Sequence, residues 1–460
     1  MKYRQLLQTN SLVAKMLSGG GWIITAKVVG LITSVGGNLL LTRLLSPSDV
    51  GAYFLLFSLI NMVNLAGPLG LNRSVVKFLA ENLARGEPGR ARAFLKKVLL
   101  LGDMSILGIS AGLVGLQYLP LGQYVYKSIP QGKIVIWAAV IAYLMTASTL
   151  RGEAFLGLKR YRDAILHRSM LQNSLFVVGL FALWWFKGSS TLIVVLDILL
   201  LSTVADYLLS NYKVWRWMRS PGSAKGEIHH TSWGKILKVT LPLWISTLAL
   251  YVLSQSSLWL VNDFGVVYDV ALFGVAMQVK RILFRSPSEL VNSVLPPFFA
   301  ENYAKNNVYR LNRLAQIGSV LAFVATCMFY LPFVFWGREL LSWFFGAFYK
   351  SAYLYVVILG GGELVNAWAG ATALILMMTR GQRVLALITS VSALVTVMAG
   401  YVGVRFWGGI GGSMASAVGL AILNVLMVAY LRANENISSM ASISTVKWVL
   451  GIFSKDVSHA

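Results

Sequence analysis

Apolar segments long enough to cross a bilayer recur along the whole 460-residue chain. A transmembrane helix needs about 20 predominantly apolar residues. Hydrophobic residues make up 57% of the chain and charged residues only 12%, whereas soluble domains carry about 25% charged residues. The sequence therefore predicts an all-α polytopic membrane protein with twelve transmembrane helices. The predicted spans lie near residues 18–41, 50–72, 95–118, 133–155, 169–187, 190–211, 237–260, 267–295, 315–337, 353–378, 384–406 and 409–431.

The basic residues are distributed unevenly among the segments that join these spans. The chain has 40 Lys and Arg against 17 Asp and Glu, which gives a net charge of +23. Counted from a cytoplasmic N-terminus, the inner segments hold about fourfold more Lys and Arg than the outer ones. We therefore expect a multi-pass protein of the cytoplasmic (inner) membrane, with both termini in the cytoplasm and no nucleic-acid partner.

Two stretches of the sequence resemble each other at one constant offset, which takes position 78 to position 298. Phe78–Ala84 reads FLAENLA and Phe298–Ala304 reads FFAENYA, while Asp49-Val50 matches Asp269-Val270 at the same offset. A repeat of six spans is parallel, and transporters built from such repeats place their site between the halves near the midplane. The predicted divisions are an N-terminal six-helix bundle at 1–220, a cytoplasmic linker at 221–236, a C-terminal six-helix bundle at 237–431 and a cytoplasmic tail at 432–460.

The eighth span carries three cations in its interior, Lys280, Arg281 and Arg285. A charge near mid-bilayer costs about 3 kcal/mol or more unless it faces water or a partner. Helical spacing places the two arginines on one face with Gln278 and Asn292. This pattern indicates a water-filled cavity that receives an anionic group. The alternative is that the cations pair with buried carboxylates and only hold helices together.

Polar residues in the first two spans extend the predicted site. Lys27 and Asn38 share one face of span one, and Asn61 of span two matches Arg281 at the repeat offset. Arginine suits phosphate because its guanidinium presents paired hydrogen-bond donors. The predicted substrate-binding residues are Lys27, Asn38, Asn61, Gln278, Lys280, Arg281, Arg285 and Asn292.

Acids inside the membrane are candidates for ion coupling or gating. Glu363 follows three glycines in span ten, where it would bind a proton or a sodium ion, or else pair with Lys280 or Arg281. Glu81 and Glu301, at the inner ends of spans two and eight, are interpreted as gate residues. The acidic candidates are Asp103, Asp197, Glu289, Glu363, Glu81 and Glu301.

Several other residues are assigned structural roles. Asp49 and Asp269 are expected to be helix N-caps, and Arg151 and Glu153 are expected to snorkel or to pair locally. The single cysteine, Cys327, is interpreted as a packing residue. The sequence contains no phosphate-binding glycine loop, metal-spaced His/Cys cluster or nucleophile motif. The sequence therefore predicts a protein that is not an enzyme and that binds no cofactor or metal.

Three stretches near the start of the chain carry a family resemblance. They are Leu44–Tyr53 (LLSPSDVGAY), Gly67–Arg73 (GPLGLNR) and Phe78–Asn82 (FLAEN). They resemble the opening of polysaccharide-export flippases of the O-antigen translocase type, in the multidrug/oligosaccharidyl-lipid/polysaccharide exporter superfamily. The resemblance implies a V-shaped pair of six-helix bundles that works by alternating access. It also implies cationic groups that hold a pyrophosphate, which Lys27, Arg281 and Arg285 supply here.

These patterns together predict a flippase for a polyprenyl-pyrophosphate-linked oligosaccharide, moved from the inner to the outer leaflet. The expected partners are this lipid-linked oligosaccharide, membrane lipids, a coupling H+ or Na+, and a glycan polymerase or other assembly proteins. One alternative is a cation-coupled multidrug exporter of the same fold, although a lysine in span one argues against that branch. A membrane glycosyltransferase, polymerase or ligase, and a non-transporting scaffold, are further alternatives. The tail near 446–453 is either a surface-lying amphipathic helix or undocked.

Overall fold

The computed structural model describes residues 29–130, 132–219, 233–295, 299, 308–378, 381–442 and 445. All the regular elements in these ranges are helical. Lys27, Glu301, most of the predicted linker and the tail helix predicted at 446–453 lie outside them. The helices are α1 (Val29–Leu44), α2 (Pro47–Ala66), α3 (Leu71–Ala84), α4 (Pro88–Leu116), α5 (Pro120–Val125), α6 (Lys133–Gly157), α7 (Tyr161–Ile165), α8 (Leu171–Lys187), α9 (Leu192–Arg219), α10 (Trp233–Phe264), α11 (Val267–Val279), α12 (Ser286–Val294), α13 (Val308–Phe345), α14 (Tyr353–Ala369), α15 (Thr372–Met378) and α16 (Gln382–Glu435).

The first turns of several helices contain a proline or an acidic residue. Pro47 and Pro88 begin α2 and α4, where the missing backbone N–H costs no helical hydrogen bond. Asp49 and Asp269 lie in the first turns of α2 and α11, and Asp269 Oδ2 accepts a hydrogen bond from the Val266 N–H at 3.4 Å. The prediction that these aspartates are N-caps was wrong, because both lie inside their helix, in its first turn. A carboxylate in the first turn still favours the positive end of the helix.

Three helices of the first half begin at positions equivalent to helix starts in the second half. Three pairs of first residues match at the repeat offset: Pro47 and Val267, Pro88 and Val308, and Lys133 and Tyr353. Gly188 and Gly408 also match, and both have positive φ, at 72° and 54°. Such a conformation is strained for residues with a Cβ atom. The internal repeat predicted from sequence is therefore a repeat of the fold.

Eight described helices are long and apolar enough to cross a membrane, and the bent pair Tyr161–Arg168 and Leu171–Lys187 makes a ninth. The 54-residue α16 passes as one span but bends at Gly408, between two predicted spans. The number twelve stays a prediction. Leu100, Met104 and Leu107 lie on one side of α4 and are 62%, 63% and 57% exposed. Exposed apolar faces of this kind are typical of lipid contact.

The described residues pack into two compact units. In the first unit α6 packs between α4 and α9, and in the second α14 packs between α13 and α16. Since α6 and α14 are equivalent in the repeat, the same position supplies the central helix of each unit. The first unit takes residues up to Ser46, Leu56–Tyr126 and Pro130–Leu241, and the second takes Pro47–Leu55, Lys127–Ile129 and the chain from Pro242 on.

A strap of irregular chain after α16, residues 436–442, packs on the second unit. Helix α14 ends at Ala369 because Gly370, with φ of +76°, interrupts it. Two bonds join the strap to this end of α14: Ser439 Oγ donates to the Ala369 carbonyl at 2.8 Å, and the Ala441 N–H donates to the Trp368 carbonyl at 2.9 Å. The strap therefore satisfies carbonyl groups that have no partner within a helix that ends there.

Candidate functional site

The three cations of the predicted site lie on a π-helical turn, Lys280–Arg285, between α11 and α12. The turn begins about 20 Å along the predicted eighth span, whose parts α11 and α12 are shorter than the eight long apolar helices. π-Helical turns are frequent at functional sites. Lys280 is buried, with 8% of its surface exposed, whereas Arg281 is exposed and Arg285 is partly exposed. The turn thus directs Lys280 into the second unit and leaves the arginines accessible.

The two arginines share their accessible face with three other predicted residues. Arg281 Nη2 donates a hydrogen bond to Gln278 Oε1 at 2.8 Å. Arg285 Nε donates to Glu289 Oε1 at 3.0 Å, and Asn292 is partly exposed one turn further on. Both bonds join residues of the same helical stretch, so they orient the guanidinium groups without drawing them into the interior.

Glu363 lies on α14 with none of its surface exposed. Its Oε2 accepts a hydrogen bond from Asn366 Nδ2 at 3.0 Å, and Asn424 Nδ2 donates to Asn366 Oδ1 at 3.2 Å. Its Oε1 has no hydrogen-bond partner among the described residues. The Glu363 charge acts on both Lys280 and Arg285.

The charges described around the π-helical turn leave a positive excess. Three cations lie on the turn, and the carboxylates that act on them are Glu289 and Glu363. Two negative charges do not neutralise three positive ones, so the arrangement favours an anion. Within the residues that the structure describes, no three His, Cys, Asp or Glu residues are grouped so that they could hold a metal ion.

Asp103, predicted as an ion-coupling residue, forms an ion pair with Arg151 in the first unit. The two Oδ atoms of Asp103 accept hydrogen bonds from Arg151 Nη1 and Nη2 at 3.1 and 2.9 Å. Arg151 Nε also donates to Asn211 Oδ1 at 3.2 Å, and its guanidinium lies 4.9 Å from the Tyr207 ring centroid. The expectation that Arg151 snorkels or pairs locally was wrong, because its partners come from α4 and α9.

The remaining predicted residues are placed by simpler contacts. Asp197 accepts a hydrogen bond from Trp137 Nε1 at 2.8 Å, and Glu81 lies 4.0 Å from Lys77 on the same exposed helix face. Asn38 and Asn61 each donate to a carbonyl of their own helix, Ser34 at 2.7 Å and Phe57 at 2.8 Å. None of these contacts joins them to the cationic turn.

Sequence reasoning missed a buried pair in the first unit, His167 and Asp206. His167 is on the π-helical turn Leu166–Met170, and Asp206 is on α9. The signal available was Asp206, an aspartate within a predominantly apolar span. His167 lies near basic residues at the end of a predicted span, where the sequence pattern predicts a loop.

One family model, described as polysaccharide biosynthesis protein, matches residues 16–303. The match covers more than half of the chain. No curated protein matches the chain.

Several solved structures share the fold along most of the chain. One is an inward-facing multidrug-resistance transporter of the MATE family in the MOP superfamily, with 16% identity, a TM-score of 0.69, and coverage of 87% of this chain and 93% of that one. Another is the lipid II flippase MurJ, with 13% identity, a TM-score of 0.61, and coverage of 91% and 88%. A MOP-superfamily transporter from Pyrococcus furiosus has 16% identity, a TM-score of 0.52, and coverage of 91% and 93%.

At these low identities the solved structures show the fold alone, whereas the family model shows the family. The chain therefore belongs to the polysaccharide biosynthesis protein family and is a polytopic membrane protein with the fold of the MOP-superfamily transporters.

Proposed function

We propose that this protein is a flippase that moves a polyprenyl-pyrophosphate-linked oligosaccharide, such as an O-antigen, capsule or exopolysaccharide repeat unit, across the cytoplasmic membrane. The observation that carries the proposal is the accessible pair Arg281 and Arg285 on the π-helical turn of the predicted eighth span. Lipid contact there would cost about 3 kcal/mol or more per charge, so this face borders water and anionic cargo. The family's link to polysaccharide biosynthesis supports a glycan cargo.

The chemistry of the turn suits a pyrophosphate. Each guanidinium presents paired donors that match phosphate oxygens. The Gln278 and Glu289 contacts orient the two guanidinium groups, each of which carries five N–H donors. Asn292, about two turns beyond Arg285, offers an amide that can bind sugar hydroxyl groups. Buried Lys280 adds positive potential without contacting the cargo.

The uneven distribution of Lys and Arg supports cytoplasmic termini and pickup of cargo from the inner leaflet. Release at the outer leaflet needs a driving force. The membrane potential supplies about 2.3 kcal/mol per charge per 100 mV, and a coupling H+ or Na+ is the other source. Glu363 is our candidate in the second unit for such an ion, because one of its oxygens has no hydrogen-bond partner among the described residues.

The experiment is an extraction of polyprenyl-linked lipids from cells that lack the protein. We expect one lipid-linked oligosaccharide to accumulate and the wild-type protein to clear it. Arg281→Ala/Arg285→Ala should clear it at least about 100-fold more slowly, because both phosphate-binding groups are lost. The matched control is Arg338→Ala, which removes an exposed arginine that stacks at 5.4 Å on Tyr353 in the same unit; it should clear the lipid normally.

The rival function gives a different result. A cation-coupled drug exporter predicts an unchanged lipid pool, sensitivity of the cells to cationic drugs, and a mild effect of the double arginine variant. Equal loss in the double variant and in Arg338→Ala would mean that general disruption, not phosphate binding, explains the effect.

A further inference from the structure

We propose that His167 and Asp206 form a proton-binding site inside the first unit. His167 Nδ1 lies 2.7 Å from Asp206 Oδ1. The side chains are 0% and 3% exposed, so the pair is sealed from bulk solvent. Histidine is the side chain whose unperturbed protonation change falls between pH 5 and 8. This site is separate from the cationic turn and does not depend on the identity of the cargo.

The second ring nitrogen of His167 is the atom to which the proton binds. When Nδ1–H donates to the carboxylate, Nε2 presents a basic lone pair. His167 Nε2 is buried and has no hydrogen-bond partner among the described residues. An orphaned buried polar atom of this kind calls for an explanation. With Nε2 unprotonated the pair carries one negative charge, and with Nε2 protonated it is neutral.

The local backbone holds the imidazole in place. His167 belongs to the π-helical turn Leu166–Met170, and α6 approaches that turn closely at Gly152. A Cβ atom at position 152 would come within 3.3 Å of the His167 carbonyl carbon and the Arg168 nitrogen. The Phe155 ring lies 5.7 Å from the imidazole, centroid to centroid. Glycine in α6 and a π-helical turn together let the ring reach α9.

Each of the other acids near the pair has a lysine or arginine partner. On α6, Glu153 lies 3.0 Å from Arg168. On α7, Asp163 lies 2.7 Å from Lys213 of α9 and 3.1 Å from Arg160, and its charge acts on His167. Further along, Arg151 pairs with Asp103, and α8 has no titratable side chain before Lys187. Asp206 thus has a titratable histidine where the other acids have a permanent cation.

The geometry excludes the other common ligands of a His–Asp pair. A metal ion needs further ligands at about 2 Å, and no group of three His, Cys, Asp or Glu residues occurs within the described ranges. An anion would be repelled by the carboxylate. A proton needs no added volume, which fits a pair with essentially no exposed surface.

The first test follows the protonation of His167 directly. The other three histidines are replaced in a His229→Gln/His230→Gln/His459→Gln variant of the full chain, labelled with 15N-histidine in lipid nanodiscs. We expect the ring nitrogen signals to report proton uptake at Nε2 as the pH is lowered. The difference between wild type and His167→Gln gives the same signal without the triple variant.

Two variants of α9 identify the partner. Asp206→Asn removes the carboxylate that His167 Nδ1 contacts and should change the midpoint of this proton uptake. Asp197→Asn removes a carboxylate more than two turns earlier on the same helix, which bonds to Trp137, and should leave the midpoint unchanged. A ring that keeps one protonation state from pH 5 to 8, or equal shifts in both variants, would overturn the proposal.

A transport measurement then separates this proposal from the flippase proposal. Clearance of the lipid-linked oligosaccharide should vary with pH in the wild type and lose that dependence in His167→Gln. The nanodisc titration has no cargo, so its failure overturns the proton site alone. An unchanged lipid pool in cells lacking the protein overturns the flippase function alone.

Discussion

The two repeats have equivalent helices but carry their membrane-embedded charges at different positions. At the repeat offset, Arg151 corresponds to Ala371 and Asp103 to Phe323. In the other direction, Arg281 corresponds to Asn61 and Lys280 to Ile60. The duplicated backbone therefore does not duplicate the chemistry. Each unit has acquired its own polar group within the same set of helices.

The partners of these charges differ as much as their positions do. In the first unit, Asp103 and Arg151 pair between α4 and α6, and His167 and Asp206 pair across to α9. In the second unit, Arg285 bonds to Glu289 on the same helical stretch. Pairs between helices fix one packing arrangement, whereas pairs along one helix leave the arginines accessible. The comparison indicates a first unit built for internal polar contacts and a second unit built to present charge.

The largest expected effect comes from introducing an arginine at the positions of the first repeat that correspond to Lys280 and Arg281. Ile60→Arg places a charge at a residue with 0% exposure, whereas Asn61→Arg places it at a partly exposed one. Burying an unpaired charge costs many kcal/mol. We expect no folded protein from Ile60→Arg. Asn61→Arg should lower the free energy of unfolding by less than about 1 kcal/mol. Size-exclusion chromatography and thermal unfolding in detergent measure both. Equal losses of stability in the two variants would show that the helix of the first repeat lacks the buried and accessible sides found at Lys280 and Arg281.

The next largest effect concerns the ion pair of the first unit. Asp103→Leu leaves Arg151, with 4% of its side chain exposed, without its carboxylate. Removing one partner of a buried pair costs about 3–5 kcal/mol. We expect a thermal unfolding temperature well below wild type, and partial recovery in Asp103→Leu/Arg151→Leu. A double variant no more stable than the single one would show that the pair is not the source of the loss.

A smaller effect is expected at Glu363, where the second unit does bury a charge. Glu363→Gln keeps an acceptor for Asn366 but removes the charge that acts on Lys280. We expect a loss of about 1–3 kcal/mol in stability. Glu363→Gln/Lys280→Met should recover it if the carboxylate balances the lysine. Stability that does not recover would instead favour the ion-binding role.

The smallest effect is expected from the pair on the accessible face. Arg285 and Glu289 have side chains 43% and 56% exposed, and exposed pairs contribute about 0–1 kcal/mol. Glu289→Gln should therefore change the unfolding temperature little, while it increases the positive excess near the turn. Lipid clearance at or above the wild-type rate is the expected result. A strongly destabilised Glu289→Gln protein would contradict the distinction between the two units.

The class of fold was predictable because its signals are local and repeated. Apolar length identifies spans, and the repeat offset predicted helix starts that the structure places in equivalent positions. The accessible face with Gln278, Arg281 and Arg285 was also predicted, since the π-helical turn displaces it little. These features depend on the spacing of neighbouring residues along the chain.

The cross-helix contacts were not predictable in the same way. Arg151 and Asp103 are 48 residues apart in sequence, and His167 and Asp206 are 39 apart. Nothing in one helix specifies which side of another it will meet. The burial of Lys280 was equally hidden, because its position on the helix does not reveal what packs against it.

The strap that closes the break in α14 has a consequence for biogenesis. Seventy residues separate the Ala369 carbonyl from the Ser439 hydroxyl that binds it, so the acceptor leaves the ribosome long before its donor. In hydrocarbon an unsatisfied carbonyl costs several kcal/mol. During membrane insertion this end of α14 must be held by water or by the insertion machinery until α16 has been synthesised. The second unit can therefore complete its assembly only after translation has passed the strap.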